Sequence, residues 1–220
     1  MKLKSCAFIL SFFVASSAFA AGGDELGNGG DALICKENGV LTYRLFDLAD
    51  VISNGGLTPR ATPELEADIE KEVLEQLRLK DPERACLYEQ GLASFRRQSL
   101  HSDLPLYDVS DEGFVQIPKN CGLKQVIIQF KKNSAYKYFV DSDLYFKLPP
   151  RDRVALRFHE LIYREGLRMN TGRYVNSLAV RKMTAFLFSN ELKTSSPQEY
   201  EQAVTNVGLS MKTNYCELVK

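Results

Sequence analysis

The strongest hydrophobic periodicity along this chain is helical. Leu65, Ile69, Val73, Leu74 and Leu77 recur every three or four residues, so one face of this segment meets a core. Thr62 as N-cap, Pro63 at the first helical position and acids in the first turn predict where it starts. Asp81-Pro82-Glu83 repeats the start signal, and a second helix carries Cys86, Leu87, Leu92 and Phe95, interrupted by Gly91. Together they predict a helical pair from about Pro63 to Arg97. Val154, Ala155, Phe158, Leu161 and Ile162 then stripe a helix over about Arg151 to Glu165, with Gly166 placed to cap its end. Leu178, Ala179, Met183, Phe186 and Leu187 mark another over about Val175 to Leu192. The loop between them, Met169 to Arg173, is short, so the two form a C-terminal helical hairpin.

Period-two and continuous apolar runs fill much of the remainder. Asp31 to Lys36 predicts a strand, Glu37-Asn38-Gly39 its turn, and Val40 to Phe46 its hairpin partner. Leu123 to Phe130 is the strongest strand, and Ala135 to Asp141 pairs with it antiparallel across Lys131–Ser134. Phe114 to Pro118 is a short strand candidate, Gln98 to Glu112 is polar and broken, and the tail beyond Pro197 is weakly patterned. The fold class is α+β: a small antiparallel sheet with a helical pair and a C-terminal helical hairpin. These elements occupy one domain, residues 31–220, behind a flexible glycine-rich segment at 21–30.

The first twenty residues read as an export signal. Lys2 and Lys4 precede the apolar run Ala7 to Val14, and Ala18-Phe19-Ala20 supplies a small-x-small cleavage pattern. The run is too short to span a bilayer. The expected location is therefore the periplasm or the exterior, with no integral span once the signal is removed. Composition is ordinary for a globular protein, at 45% hydrophobic and 25% charged. Lys and Arg balance Asp and Glu at 28 each, and removal of two signal lysines leaves the mature chain at about −2. Without a concentrated basic face there is no electrostatic case for nucleic acid.

Export changes the meaning of cysteine. Cys6 leaves with the signal, and Cys35, Cys86, Cys121 and Cys216 remain, an even number that points to disulfides. Three connectivities are open; Cys121 to Cys216 and Cys35 to Cys86 are expected, the first because it would anchor the tail. No two are close enough for a Cys-x-x-Cys zinc or redox pair.

One segment invites a chemical reading, Phe158-His159-Glu160-Leu161-Ile162-Tyr163-Arg164. A helix bearing His-Glu opens the zinc-protease motif, where a second His four residues on shares the metal and the Glu acts as base. Here that position is Tyr163, and the other histidine is His101, so the ligands for a catalytic zinc are sparse. The structural reading has His159 bonding locally and Glu160 with Arg164 as an exposed i, i+4 ion pair. On the facing helix, Ser177 and Arg181 lie one turn apart, and Arg181 is placed to clamp Glu160 or Tyr163. As a site, His159 and Glu160 would be catalytic, and Tyr163, Ser177 and Arg181 would bind an anion or a sugar. Asp141-Ser142-Asp143 lacks the mid-loop glycine of a calcium loop and reads as a helix entry.

Several islands of this chain resemble a family of exported, uncharacterised proteins of predatory and related proteobacteria. They are Gly27-Asn28-Gly29-Gly30-Asp31 with Cys35, Pro118 to Gln125, Asp152 to Leu156 with His159 to Tyr163, and Asn176-Ser177 with Val180-Arg181 and Phe186 to Ser189. The resemblance implies export and a cysteine-containing fold, and it brings no activity. The expected role is non-enzymatic, binding an envelope protein or ligand or serving as structure, with neither metal nor cofactor. The alternative is a small envelope-acting hydrolase on the His159-Glu160 helix, with zinc assisting.

Overall fold

The computed structural model describes residues 26–27, 30–61, 63–107, 117–132, 135–168 and 177–211. The strands are β1 (Leu26–Gly27), β2 (Asp31–Glu37), β3 (Val40–Leu45), β4 (Ser99–Ser102), β5 (Cys121–Gln125), β6 (Ile127–Lys132) and β7 (Ala135–Asp141). The helices are α1 (Phe46–Gly55), α2 (Glu66–Lys80), α3 (Pro82–Gln98), α4 (Ser142–Lys147), α5 (Pro150–Arg168), α6 (Ser177–Leu187), α7 (Glu191–Thr194) and α8 (Pro197–Asn206). The α+β class and the helical pair α2–α3 are as the sequence predicts.

The strongest predicted strand is two strands, not one. It bends at Val126, whose N–H donates to Gly30 O at 3.1 Å and whose carbonyl accepts the Asp141 N–H at 2.9 Å. On one side of the bend β5 joins an antiparallel sheet in the order β3-β2-β5. On the other, β6 joins a sheet in the order β1-β6-β7-β4, which is mixed because β4 runs parallel to β7. The glycine-rich entry is accordingly not free where it is described: Leu26 and Gly27 pair with Phe130 and Gln129, and Gly30 is buried.

The β2–β5 register also corrects the disulfides. Cys35 and Cys121 are cross-strand neighbours with Cα atoms 4.0 Å apart, and they bond to each other. The expected Cys35–Cys86 and Cys121–Cys216 bridges are therefore wrong. Cys86 is disulfide-bonded as well, and Cys216 lies outside the described residues, as do residues 1–20 and most of the Phe114–Pro118 strand candidate.

Element boundaries differ where tertiary contacts decide them. The stretch following Leu45 is the helix α1, closed by Gly56 in the left-handed conformation at φ 71°. α2 starts at Glu66, three residues after Pro63, without a side-chain cap. α3 starts as expected, with the Arg84 N–H bonding Asp81 Oδ1 at 3.0 Å. The helix predicted to stop at Gly166 continues to Arg168, and the one predicted to reach Leu192 ends at Leu187. The tail holds α8, with a capping box of Ser196 and Glu199.

At the centre lies α5. Val154, Ala155, Leu156, Phe158 and Ile162 are fully enclosed, and the helix packs against α2, α3, α6 and β3. Because it is surrounded, its polar residues are buried too, and each needs a partner from a neighbouring element.

Candidate functional site

The partners of the α5 side chains come from all over the chain. Asp152 takes the Leu45 N–H at 2.7 Å and Arg44 Nε at 3.0 Å, which pins β3 to the start of the helix. Two turns later on the same face, His159 Nδ1 lies 2.6 Å from Asp47 Oδ2 of α1. Glu160 Oε1 accepts the Gly30 N–H at 3.1 Å. Glycine leaves room there for Leu156: a Cβ on residue 30 would stand 2.1 Å from Leu156 Cδ1. A side chain at residue 30, just ahead of β2, would have to displace the end of Leu156 for the backbone to come so near the helix.

The exposed Glu160–Arg164 ion pair expected from sequence does not form. Both side chains are buried; Arg164 reaches Tyr138 OH at 3.4 Å and lies 4.9 Å over the Tyr136 ring. The Arg181–Glu160 clamp is also absent, since Glu160 Oε1 holds Gly30 and Oε2 has no hydrogen-bond partner. Arg181 is buried, its guanidinium 5.1 Å over the ring of Phe46, the residue before Asp47. Ser177 is buried at the start of α6, and Tyr163 is half-buried against the core.

The His159 pocket is acidic. Burial disfavours the imidazolium, but Asp47, through its charge and hydrogen bond, with Glu160 and Asp31 beyond, holds His159 up at about 9. At neutral pH the ring is therefore an imidazolium donating Nδ1–H to Asp47. Burial pushes the Glu160 carboxyl up to about 7; His159 and the Gly30 N–H pull it down, while Asp47 and Asp31 push it further. Among the described residues, His159 Nε2 and Glu160 Oε2 have no hydrogen-bond partner.

These residues do not fit a catalytic zinc. Nδ1 of His159 is engaged by Asp47, Tyr163 occupies the second-histidine position, and His101 stacks on Phe146 with ring centres 6.0 Å apart. Among the described residues no cluster of three or more His, Cys, Asp or Glu could hold a metal.

A second buried network escapes sequence reasoning altogether. Glu165 binds Arg84 through Nη2 at 3.0 Å and Nε at 3.1 Å, and accepts Tyr88 OH at 2.6 Å. Arg84 also pairs with Asp81, donates to Tyr200 OH at 2.9 Å and to Ser210 O at 2.7 Å. It ties α3, α5 and α8 together. Arg157 joins Glu66, Glu70 and Tyr145 OH at 2.6–2.7 Å on the α2 side. Asp47 and Gly30 were the missed members of the His159 group. Gly30 stands in one of the islands of resemblance, whereas nothing local distinguishes Asp47. No family model, curated protein or solved structure matches this chain.

Proposed function

We propose that this is an exported envelope or secreted protein with a non-enzymatic role, as a binder or a structural component. Its His159-Glu160 helix would belong to the frame and not to a catalytic centre. The observation that carries this reading is enclosure. His159 and Glu160 are 2% and 0% exposed, and each spends a polar atom on the fold, on Asp47 and on Gly30. Catalytic groups must meet a substrate, within about 3 Å of the reacting atom. The Cys35–Cys121 bond is compatible with an oxidising compartment, and no helix among the described residues is long and apolar enough to cross a membrane.

The hydrolase reading keeps one observation in its favour, the unpartnered His159 Nε2 and Glu160 Oε2, the Glu160 carboxyl itself being raised to about 7. Two conservative variants separate the readings. In a frame, His159→Gln lowers the melting temperature and leaves the biological role in proportion to folded protein. In an acid–base site, Glu160→Gln melts like wild type and abolishes the role. That second result would overturn the proposal.

A further inference from the structure

We infer that the cavity between α6, α8 and the residue beyond Gly56 is a binding site for a short fatty acid, a carboxylate on a single aliphatic chain. The inference rests on the binding role proposed above and names a ligand for it. The cavity measures about 230 Å³, against about 150 Å³ for an apolar cavity that takes benzene. Leu57, Met183, Phe186 and Val207 form its floor and walls. Met183 and Val207 are buried, and Leu57 and Phe186 pack against the core. Phe186 lies against Tyr200, with ring centres 6.3 Å apart, and Tyr200 OH donates to Asp81 Oδ2 at 3.1 Å within the Arg84 network. The packing of α6 against α8 therefore preforms the cavity. Its two polar lining residues, Lys182 and Asn206, are exposed and mark the mouth.

The lining defines the ligand. It holds one charge, the Lys182 ammonium, and no carboxylate to neutralise it. Asn206 Oδ1 accepts Gln202 Nε2 at 2.6 Å, which leaves Asn206 Nδ2 to donate. Glu199, one turn before Ala203 on α8, is committed to the Ser196 capping box. A cation is repelled at this mouth, and a sugar finds no polar partners on walls of Leu, Met, Phe and Val. An aliphatic tail gains by leaving water for those walls, and Met183 adapts to its shape. A carboxylate is then the anion that one ammonium and one amide N–H satisfy. Scaled from benzene, the volume holds about nine carbons. That is one short chain, and not the two chains of a phospholipid.

The test is calorimetric titration of the mature chain with sodium octanoate. Propionate, the same head without the tail, and octylamine, the same tail with the opposite charge, serve as controls. Saturable one-to-one binding of octanoate alone supports the site. From hexanoate through octanoate to decanoate the affinity should rise about fourfold per methylene, then level off at dodecanoate, which outgrows the cavity. Lys182→Glu, at an exposed position, should weaken octanoate at least about fivefold with melting unchanged. Ala203→Leu puts a side chain into the cavity it lines and should abolish binding while melting no lower than wild type. Should that variant not fold, Lys182→Glu and the chain-length series decide. The inference fails if octanoate does not saturate, if either control binds as well, or if affinity climbs on through dodecanoate as on an unspecific apolar surface. It fails equally if Lys182→Glu or folded Ala203→Leu binds like wild type. Failure here while His159→Gln retains the biological role removes this ligand and leaves the non-enzymatic reading standing.

Discussion

A methyl group decides the fate of residue 30. Its Cβ would fall inside the Leu156 side chain, and moving the strand away would break the Gly30–Glu160 bond that satisfies a buried carboxyl. Gly30→Ala should therefore destabilise by about 1–3 kcal/mol through overpacking alone, read by urea denaturation; a variant as stable as wild type would remove the close approach. The same pocket sets a pH dependence. Glu160 rises from 4.5 to about 7 and His159 from 6.5 to about 9 in the folded protein. In both cases the folded chain binds its proton more tightly than the unfolded one. Stability is then fullest below the unfolded values and falls as pH rises through about 7 and then about 9. Denaturation midpoints should drop steadily from about pH 4.5 to about 9, and His159→Gln should flatten the upper limb. A profile that climbs over this range contradicts both assignments.

Among the elements, α5 behaves like a buried hub whose polar faces are each met by a different neighbour. Breaking one such contact leaves a charge without its partner. Arg84→Leu strands Glu165 and Asp81 in the interior and should cost about 3–5 kcal/mol. Replacing Arg84 and Glu165 together by Leu and Met should recover part of that loss, because Glu165 no longer stands unpaired in the interior and only Asp81 is left without its arginine. If the double variant is no better than the single, the network is not the source of the penalty. At the edge of the fold, Ser196→Ala removes one side of the α8 capping box and should lower stability by about 1 kcal/mol. The box was legible as Ser196-Pro197-Gln198-Glu199, a polar signal that hydrophobic patterning alone overlooks. Gly91 is the opposite case, a helix breaker by propensity that stays inside α3 because Leu161 fills the space beside it, 2.7 Å from where a Cβ would sit.

For the whole molecule, the Cys35–Cys121 bond joins residues separated by 86 positions. In the chain-entropy picture a loop of that length is worth about 4–5 kcal/mol. Cys35→Ala with Cys121→Ala should lose most of this while keeping the β2–β5 pairing, and non-reducing peptide mapping of the unsubstituted protein should recover Cys35 and Cys121 in one linked fragment. Free thiols at both positions would refute the pairing. The correction to connectivity belongs to this scale, since register across a sheet, and not spacing along the chain, brings two sulfurs together.

What the sequence determines by itself is local. Apolar spacing placed α2, α3, α5 and α6 to within a few residues, Asp81 announced the start of α3, and alternation found β2, β3 and β7. The candidate site was half legible: His159 and Glu160 stood out, whereas Asp47 carries no pattern. Only the tertiary structure decided the break at Val126, the parallel strand β4, the disulfide partners and the meaning of the polar residues on α5. The physical reason is that a buried polar group is defined by what it meets. A helix with charges on several sides reads from sequence as solvent-facing, and it becomes a core element only when Asp47, Gly30, Arg84 and Tyr88 arrive from distant parts of the chain.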